Sequence, residues 1–113
     1  IVSYTGTGAS ATVGHGLSSA PEIIIIKNRD SVTNWPVYTT VVDGTYDYLF
    51  LNSTNASGDA SALSTPTSSV FSLGSSSTSN QSGSAHIAYC FHSVSGYSSI
   101  GSYSGTGATG SQS

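Results

Sequence analysis

Hydrophobic and polar positions along this chain alternate in short bursts, and the clearest burst runs from Ala85 to Phe91. Side chains of a strand point to opposite faces at period two, so Ile87, Tyr89 and Phe91 form one large apolar row while His86, Ala88, Cys90 and His92 form the other. A polar tract over 74–84, without a hydrophobic anchor, precedes the burst, and a turn-like stretch over 93–96 follows it. The pattern predicts a buried strand at the centre of a sheet.

The same reading predicts strands over 1–5, 12–13, 23–28, 35–41, 45–52, 69–73, 85–92 and 97–103. Breakers separate them at 6–8, 14–16, 28–34, Asp43-Gly44 and 53–60. Apolar residues nowhere recur at three and four beyond one turn, so helix is not expected. Asp43-Gly44 suits a tight type I′ hairpin between its flanking strands. The continuous run 23–26 suits a strand covered on both faces or one reaching a subunit contact. Pro36 has no N–H, which places its strand at an edge or delays its start. About eight short strands with regular turns define an all-β fold, a two-sheet antiparallel sandwich.

Composition sharpens this. A chain of 113 residues is one domain's worth. We expect a sandwich over 1–105 and a Gly/Ser-rich tail or linker over 106–113. Charged residues make up 6% of the chain, against about a quarter in an average soluble protein, so hydroxyls and amides must supply its polarity. Lys27 and Arg29 are the only permanent cations, and the net charge is −3. Such a surface gives nucleic acid no electrostatic footprint. No apolar run has the length of a membrane-spanning helix, so no membrane insertion is expected. Cys90 stands alone and excludes an intrachain disulfide framework. The chain opens on strand-like sequence at Ile1, as expected of a piece of a longer polypeptide.

The two ends repeat one another. Ile1-Val2-Ser3-Tyr4-Thr5-Gly6-Thr7-Gly8-Ala9 returns as Ile100-Gly101-Ser102-Tyr103-Ser104-Gly105-Thr106-Gly107-Ala108, an offset of 99 residues. Self-similarity at a domain-sized spacing suggests units in series, or a terminal strand able to fill an equivalent slot in a neighbour. Ile1, Tyr4, Tyr97, Ile100 and Tyr103 are therefore the candidate residues of a subunit or repeat junction.

An ordered set of short motifs adds a resemblance. Ser-Tyr-Thr-Gly-Thr-Gly at 3–8, Val-Gly-His-Gly-Leu at 13–17, Ala-Pro-Glu-Ile-Ile-Ile-Ile-Lys at 20–27, Asn-Trp-Pro-Val-Tyr at 34–38, Leu-Asn-Ser-Thr at 51–54, Ser-Ser-Val-Phe-Ser-Leu-Gly at 68–74, Ile-Ala-Tyr-Cys-Phe at 87–91 and Gly-Tyr-Ser-Ser-Ile-Gly-Ser-Tyr at 96–103 together resemble a repeated domain of tailed-phage tail-fibre or minor virion structural proteins. The resemblance implies a place on the virion surface and brings no active site with it. The chain departs from it over 107–113, which stays rich in Gly and Ser where another aromatic strand would begin.

Candidate chemistry is thin. Gly6 to Ala11 and Gly105 to Gly110 match G-x-G-x-x-G/A, but neither precedes a helix that would hold a pyrophosphate. His86 and Cys90 share a strand face but lie about 13 Å apart at strand rise, so only Cys90 and His92 are near enough to share a metal. A structural Cys and a hydrogen-bonded His are expected instead. Serine is abundant, yet no G-x-S-x-G elbow occurs. Asp43 and Asp47 read as a turn residue and a solvated strand residue rather than a carboxylate pair. Tyr46, Tyr48 and Phe50 share a strand face and read as core.

No enzyme, cofactor or metal is expected. The function expected is a structural module of a phage appendage that assembles with copies of itself or with other virion proteins and contributes to host attachment. Two other classes fit the same composition: a subunit of an extracellular filament built by β-strand addition, and a module binding host surface glycan through exposed aromatics.

Overall fold

A computed structural model describes residues 1–109. The described residues form eight strands and one helical turn: β1 (Val2–Thr5), β2 (Ala11–Gly14), β3 (Ile23–Asn28), β4 (Pro36–Thr39), β5 (Asp47–Phe50), β6 (Gly58–Asp59), β7 (Val70–Leu73), α1 (Ser77–Asn80) and β8 (Ala85–Phe91). Six strands build one antiparallel sheet in the order β1-β8-β3-β4-β5-β6, and β2 and β7 pair antiparallel as a second. This is the all-β, two-sheet sandwich expected from the strand bursts. β8 is interior, between β1 and β3, but the middle of the sheet belongs to β3 and β4.

The core lies between the two sheets. Ile24 and Ile26 of β3, Tyr38 of β4, Ala88 and Cys90 of β8 and Phe71 and Leu73 of β7 meet there, joined by Tyr46 and Ala60 from loops. On β8 the smaller row points inward. His86, Ala88 and Cys90 are buried, whereas Ile87 and Tyr89 are half-buried on the other face and Phe91 is 47% exposed. Small inward side chains leave room for Phe71 and Leu73 descending from the second sheet, and close packing needs such an alternation of large and small.

β4 and β5 pair as expected, Pro36 opposite Phe50 and Thr39 opposite Asp47. The connection is longer than the two-residue turn predicted. The Gly44 N–H reaches back to the Thr40 carbonyl at 3.1 Å, with Gly44 at φ +93° and Asp43 outside the left-handed region. The ladder stops early because Tyr46 turns into the core and stacks on Tyr38 at 5.9 Å. Pro36 begins an interior strand, so the late start, not the edge, is what its missing N–H produces.

Two boundaries differ from expectation. Gly58–Asp59, inside a stretch read as breaker, pairs with β5 as the edge strand, and an added Cβ on Gly58 would overlap the Tyr48 ring opposite. No strand forms over 97–103: Val94 and Ser98 make an isolated bridge around Gly96 at φ +80°, and the residues beyond find no ladder to join. Residues 101–109 are exposed. Of the tail expected over 106–113, the last four residues lie outside those described.

The polar tract 74–84 is itself an anchor. Ser79 and Asn80 of α1 are buried, and Asn28 of β3 is buried beside them. The Asn80 side chain accepts from the Thr7 N–H at 2.8 Å through Oδ1, and through Nδ2 it donates to the carbonyls of Ala9 at 2.7 Å and Gly74 at 2.8 Å. The Asn28 amide donates to the Ser77 carbonyl and to Gln81 Oε1, while its oxygen accepts from the N–H groups of Asp30 and Ser31. Among the described residues, Thr33 Oγ1 is the only buried side-chain polar atom without a partner. Removing one partner from such a network leaves buried groups unsatisfied at about 1–3 kcal/mol each. Replacing Asn80 by Ala is therefore expected to lower the unfolding free energy by about 3 kcal/mol in urea denaturation. A loss below about 1 kcal/mol would show that water replaces the amide without cost.

Candidate functional site

The first strand and the loop after it sit in a fitted slot. β1 pairs with β8 at the sheet edge, Val2 opposite Ala88 and Tyr4 opposite His86. The Tyr4 ring stacks on His86 at 5.1 Å, meets Phe71 edge-on at 6.2 Å, and its hydroxyl donates to the Ser79 carbonyl at 2.6 Å. Burial raises the Tyr4 phenol well above its usual range. Gly6 then passes so close to α1's end that a Cβ would overlap the Gln81 carbonyl oxygen. Its N–H donates to the Ser84 carbonyl, and its own carbonyl accepts from the Gly83 N–H. Gly8, at φ +74°, donates to the Asn80 carbonyl at 2.9 Å.

The repeated segment at the other end has the same local shape outside any such slot. Gly107 stands at φ +72°, and the Ala108 N–H donates to Thr106 Oγ1 at 3.3 Å, matching the 3.3 Å bond from Ala9 to Thr7. Between β8 and this segment, residues 92–100 fold into a compact joint. The Glu22 carboxylate accepts from the Ser93 N–H at 2.6 Å and the Ser93 hydroxyl at 3.0 Å. Ser93 Oγ in turn accepts from the Ile100 N–H at 3.1 Å. Ile100 thereby closes an apolar cavity of about 310 Å³ with Ile23, Ile25 and Phe91 on the outer face of the large sheet.

The five junction candidates divide accordingly. Tyr4 lies in the slot, largely withdrawn from the surface, and Ile100 lies in the joint. Ile1, Tyr97 and Tyr103 stand in solvent, at 78%, 92% and 73% exposure, and no site brings all five together. Glu22 and Ser93, which build the joint, carried no pattern in the sequence because their partners lie 71 residues apart.

The outer face continues the apolar character of the joint. Register places Tyr89, Ile25, Val37 and Leu49 in one row across four strands and Phe91, Ile23, Thr39 and Asp47 in the next. Asp47 is buried there, not solvated as expected, because the ladder sets it between Thr39 and Asp59. Burial first, then the neighbouring Asp43, raises its pKa, whereas bonds from Thr45 lower that of exposed Asp43.

The remaining candidates serve the structure. His86 is buried, with Nδ1 against the Ser84 carbonyl at 3.0 Å and Nε2 facing the Gln81 N–H at 3.4 Å, an arrangement that suits the neutral Nδ1–H tautomer. His15 accepts the Leu17 N–H at Nδ1 and directs Nε2 to the Thr67 carbonyl. Cys90 is a buried free thiol whose pKa burial raises. No three His, Cys, Asp or Glu side chains converge as a metal site among the described residues. No helix among them is long and apolar enough to cross a membrane.

The geometry defines a class, an all-β two-layer domain with one strand motif docked at its start and repeated beyond its last strand. The chain belongs to the family described as a domain of unknown function, DUF7483, whose profile matches residues 1–112. Neither a curated protein nor a solved structure matches it.

Two outcomes are expected from this geometry. Burial lowers the His86 pKa below 6.5, with smaller opposed effects from neighbouring backbone carbonyls and Asp30. The folded state then binds fewer protons than the unfolded one, so the His86 contribution is level above pH 6.5 and falls as the pH drops towards the folded pKa. Replacing His86 by Gln should flatten unfolding free energy against pH in that window, and an unchanged slope would assign the effect to other groups. Replacing Glu22 by Ala should speed hydrogen exchange at the Ser93 and Ile100 amides while the β3–β8 ladder keeps its protection. Unaltered exchange at both amides would mean that the joint does not depend on the carboxylate.

Proposed function

We propose that this domain is a non-enzymatic structural module of a phage virion appendage, one unit of a series joined through strand and apolar contacts. The observation that carries the series is the segment 100–108, which repeats the sequence of the first strand and keeps its turn without the slot. In this reading 100–108 is the first strand of a following unit, and the joint at 92–100 sets how that unit stands on the outer face. Ile1 then occupies, on a preceding unit, the place that Ile100 takes here against Ile23, Ile25 and Phe91. A chain with only 6% charged residues suits such assembly, since few ions have to be desolvated. The placement in a virion rests on the resemblance of the ordered motifs to the tail-fibre and minor virion domains.

A polypeptide in which residues 1–99 precede a second copy of 1–109 tests the series. Small-angle scattering should show one fixed inter-unit geometry, and Ile100→Asp in the first joint should release it into a broad distribution while both units stay folded. Units that move independently before the substitution would refute the joint. A filament built by strand addition also has a basis, because β1 is an edge strand with a second copy of itself in the chain. It predicts concentration-dependent polymers of the single unit that vanish on deleting 100–113, whereas the series in one polypeptide predicts none. Antibody labelling of purified particles tests the virion location, and absence of label from the particles would remove it.

A further inference from the structure

The second sheet has two strands and the first has six, so part of the inner face is left without a covering layer. Over β1 the cover is Phe71, which meets Tyr4 edge-on. Over β4 and β5 there is a groove instead. Two contiguous cavities of about 290 Å³ and 320 Å³ share Tyr38, Tyr48 and Ser76 as lining, with Phe50 and Thr78 at one end. Each volume sits near the lower end for small-molecule sites, roughly 300–1,000 Å³.

The lining combines two kinds of surface. Tyr38, Tyr48 and Phe50 make a run of rings with successive centroids 6.5 Å and 5.7 Å apart. Tyr38 is buried at the base, whereas Tyr48 and Phe50 are half-buried and keep ring surface open to the groove. Gly58 fixes the Tyr48 ring, because only a residue without a Cβ lets the ring lie across β6. At the rim, the hydroxyls of Ser76 and Thr78 hold each other at 2.9 Å, which leaves unused hydrogen-bonding capacity on both. The Tyr48 hydroxyl makes no hydrogen bond to another group among the described residues.

No Lys, Arg or His lines either cavity, Lys27 is held by the carbonyls of Asn28 and Ser31, and the one carboxylate in the lining, Asp59, accepts from the Ser61 N–H and hydroxyl. A phosphate, a nucleotide or an acidic sugar would find no counter-charge. A purely apolar ligand would strand the rim hydroxyls away from water, at the cost of buried unsatisfied polar groups. A neutral saccharide matches both surfaces, since its C–H faces lie on aromatic rings and its hydroxyls bond to rim hydroxyls. We infer that the groove over β4 and β5, floored by Tyr38, Tyr48 and Phe50, binds a neutral oligosaccharide. Two adjoining cavities favour a chain of sugars over a single ring. This site lies on the inner face, away from the joint on the outer face, and is independent of the series reading.

The experiment is an NMR titration of the chain with maltotetraose, cellotetraose, mannotetraose and chitotetraose, and with sialyllactose as the anionic comparison. At least one neutral tetrasaccharide should give saturable shifts centred on Tyr38, Tyr48, Phe50, Ser76 and Thr78, and sialyllactose none. Tyr48→Ala should weaken binding at least about tenfold, the scale expected for losing a ring from a small site. Thr78→Val, which removes one rim hydroxyl and leaves the rings in place, should weaken it about threefold or more. Trp35→Ala, on the opposite face, should leave it unchanged. Absence of saturable shifts with all four neutral sugars, shifts centred elsewhere, or unchanged binding in folded Thr78→Val and Tyr48→Ala would each overturn the inference.

Discussion

The structure depends on burying amides where a more ordinary domain would bury only hydrocarbon. Asn80 and Asn28 lie fully withdrawn from solvent, and between them they tie the loop after β1, the turn after β3 and the polar tract around α1 to one point. An amide can do this because it donates and accepts at once and carries no net charge, so its desolvation is balanced by bonds without a counter-ion. A carboxylate in Asn80's place would lose the donors that reach Ala9 and Gly74, and it would face those carbonyls with like charge. The scarcity of charged residues and the wealth of hydroxyls are therefore parts of one scheme. Around α1 the loops are held by neutral side chains bonding to backbone, while carboxylates such as Glu22 serve the same purpose at the joint over 92–100.

The same scheme explains the inverted strand β8. A His and two small residues face inward because the His closes on the Ser84 carbonyl and Tyr4 stacks over it, while Phe71 and Leu73 supply the bulk from above. The larger row, Ile87, Tyr89 and Phe91, goes to the outer face beside Ile23 and Ile25. That face is apolar because the inner one has no room for it. Ile100 covers one corner, held by a relay from Glu22 through Ser93.

Short apolar bursts set off by turn-forming residues located seven of the strands, because extended backbone and turns are both favoured by local residue types. Ile24, Ile26 and Phe71 are core residues, but in the unbroken run 23–26 nothing local marks which side chains face inward. Which row of β8 faces inward was not legible, because it depends on what descends from β7. The segment 74–84 looked empty of anchors for a similar reason: Ser79, Asn80 and Ser84 are buried with partners that include Tyr4, Thr7 and Gly6, more than seventy positions away. The hairpin around Asp43-Gly44 was legible as a pairing but not as a turn type, since burial of Tyr46 decides where the ladder ends. Tyr48 and Phe50 share a face as alternation requires, yet alternation carries no information on whether a second layer reaches that far.

The two copies of the end motif separate local from tertiary causes. Thr7 to Ala9 and Thr106 to Ala108 hold the same hydroxyl-to-amide bond and nearly the same glycine dihedral, although one copy is clamped by Asn80 and the other is exposed. The turn is thus written in Thr, Gly and Ala, while extension into a ladder needs β8 alongside. A segment that already holds its turn loses less conformational freedom on entering a slot than a random chain would. What fixes such a segment into a sheet is the slot: a glycine-wide gap at Gln81, a stacking surface at His86 and an amide at Asn80. What holds the first strand in place therefore resides in β8 and the polar tract before it, and a chain that lost Asn80 or His86 would keep a well-formed end motif without the groups that clamp it.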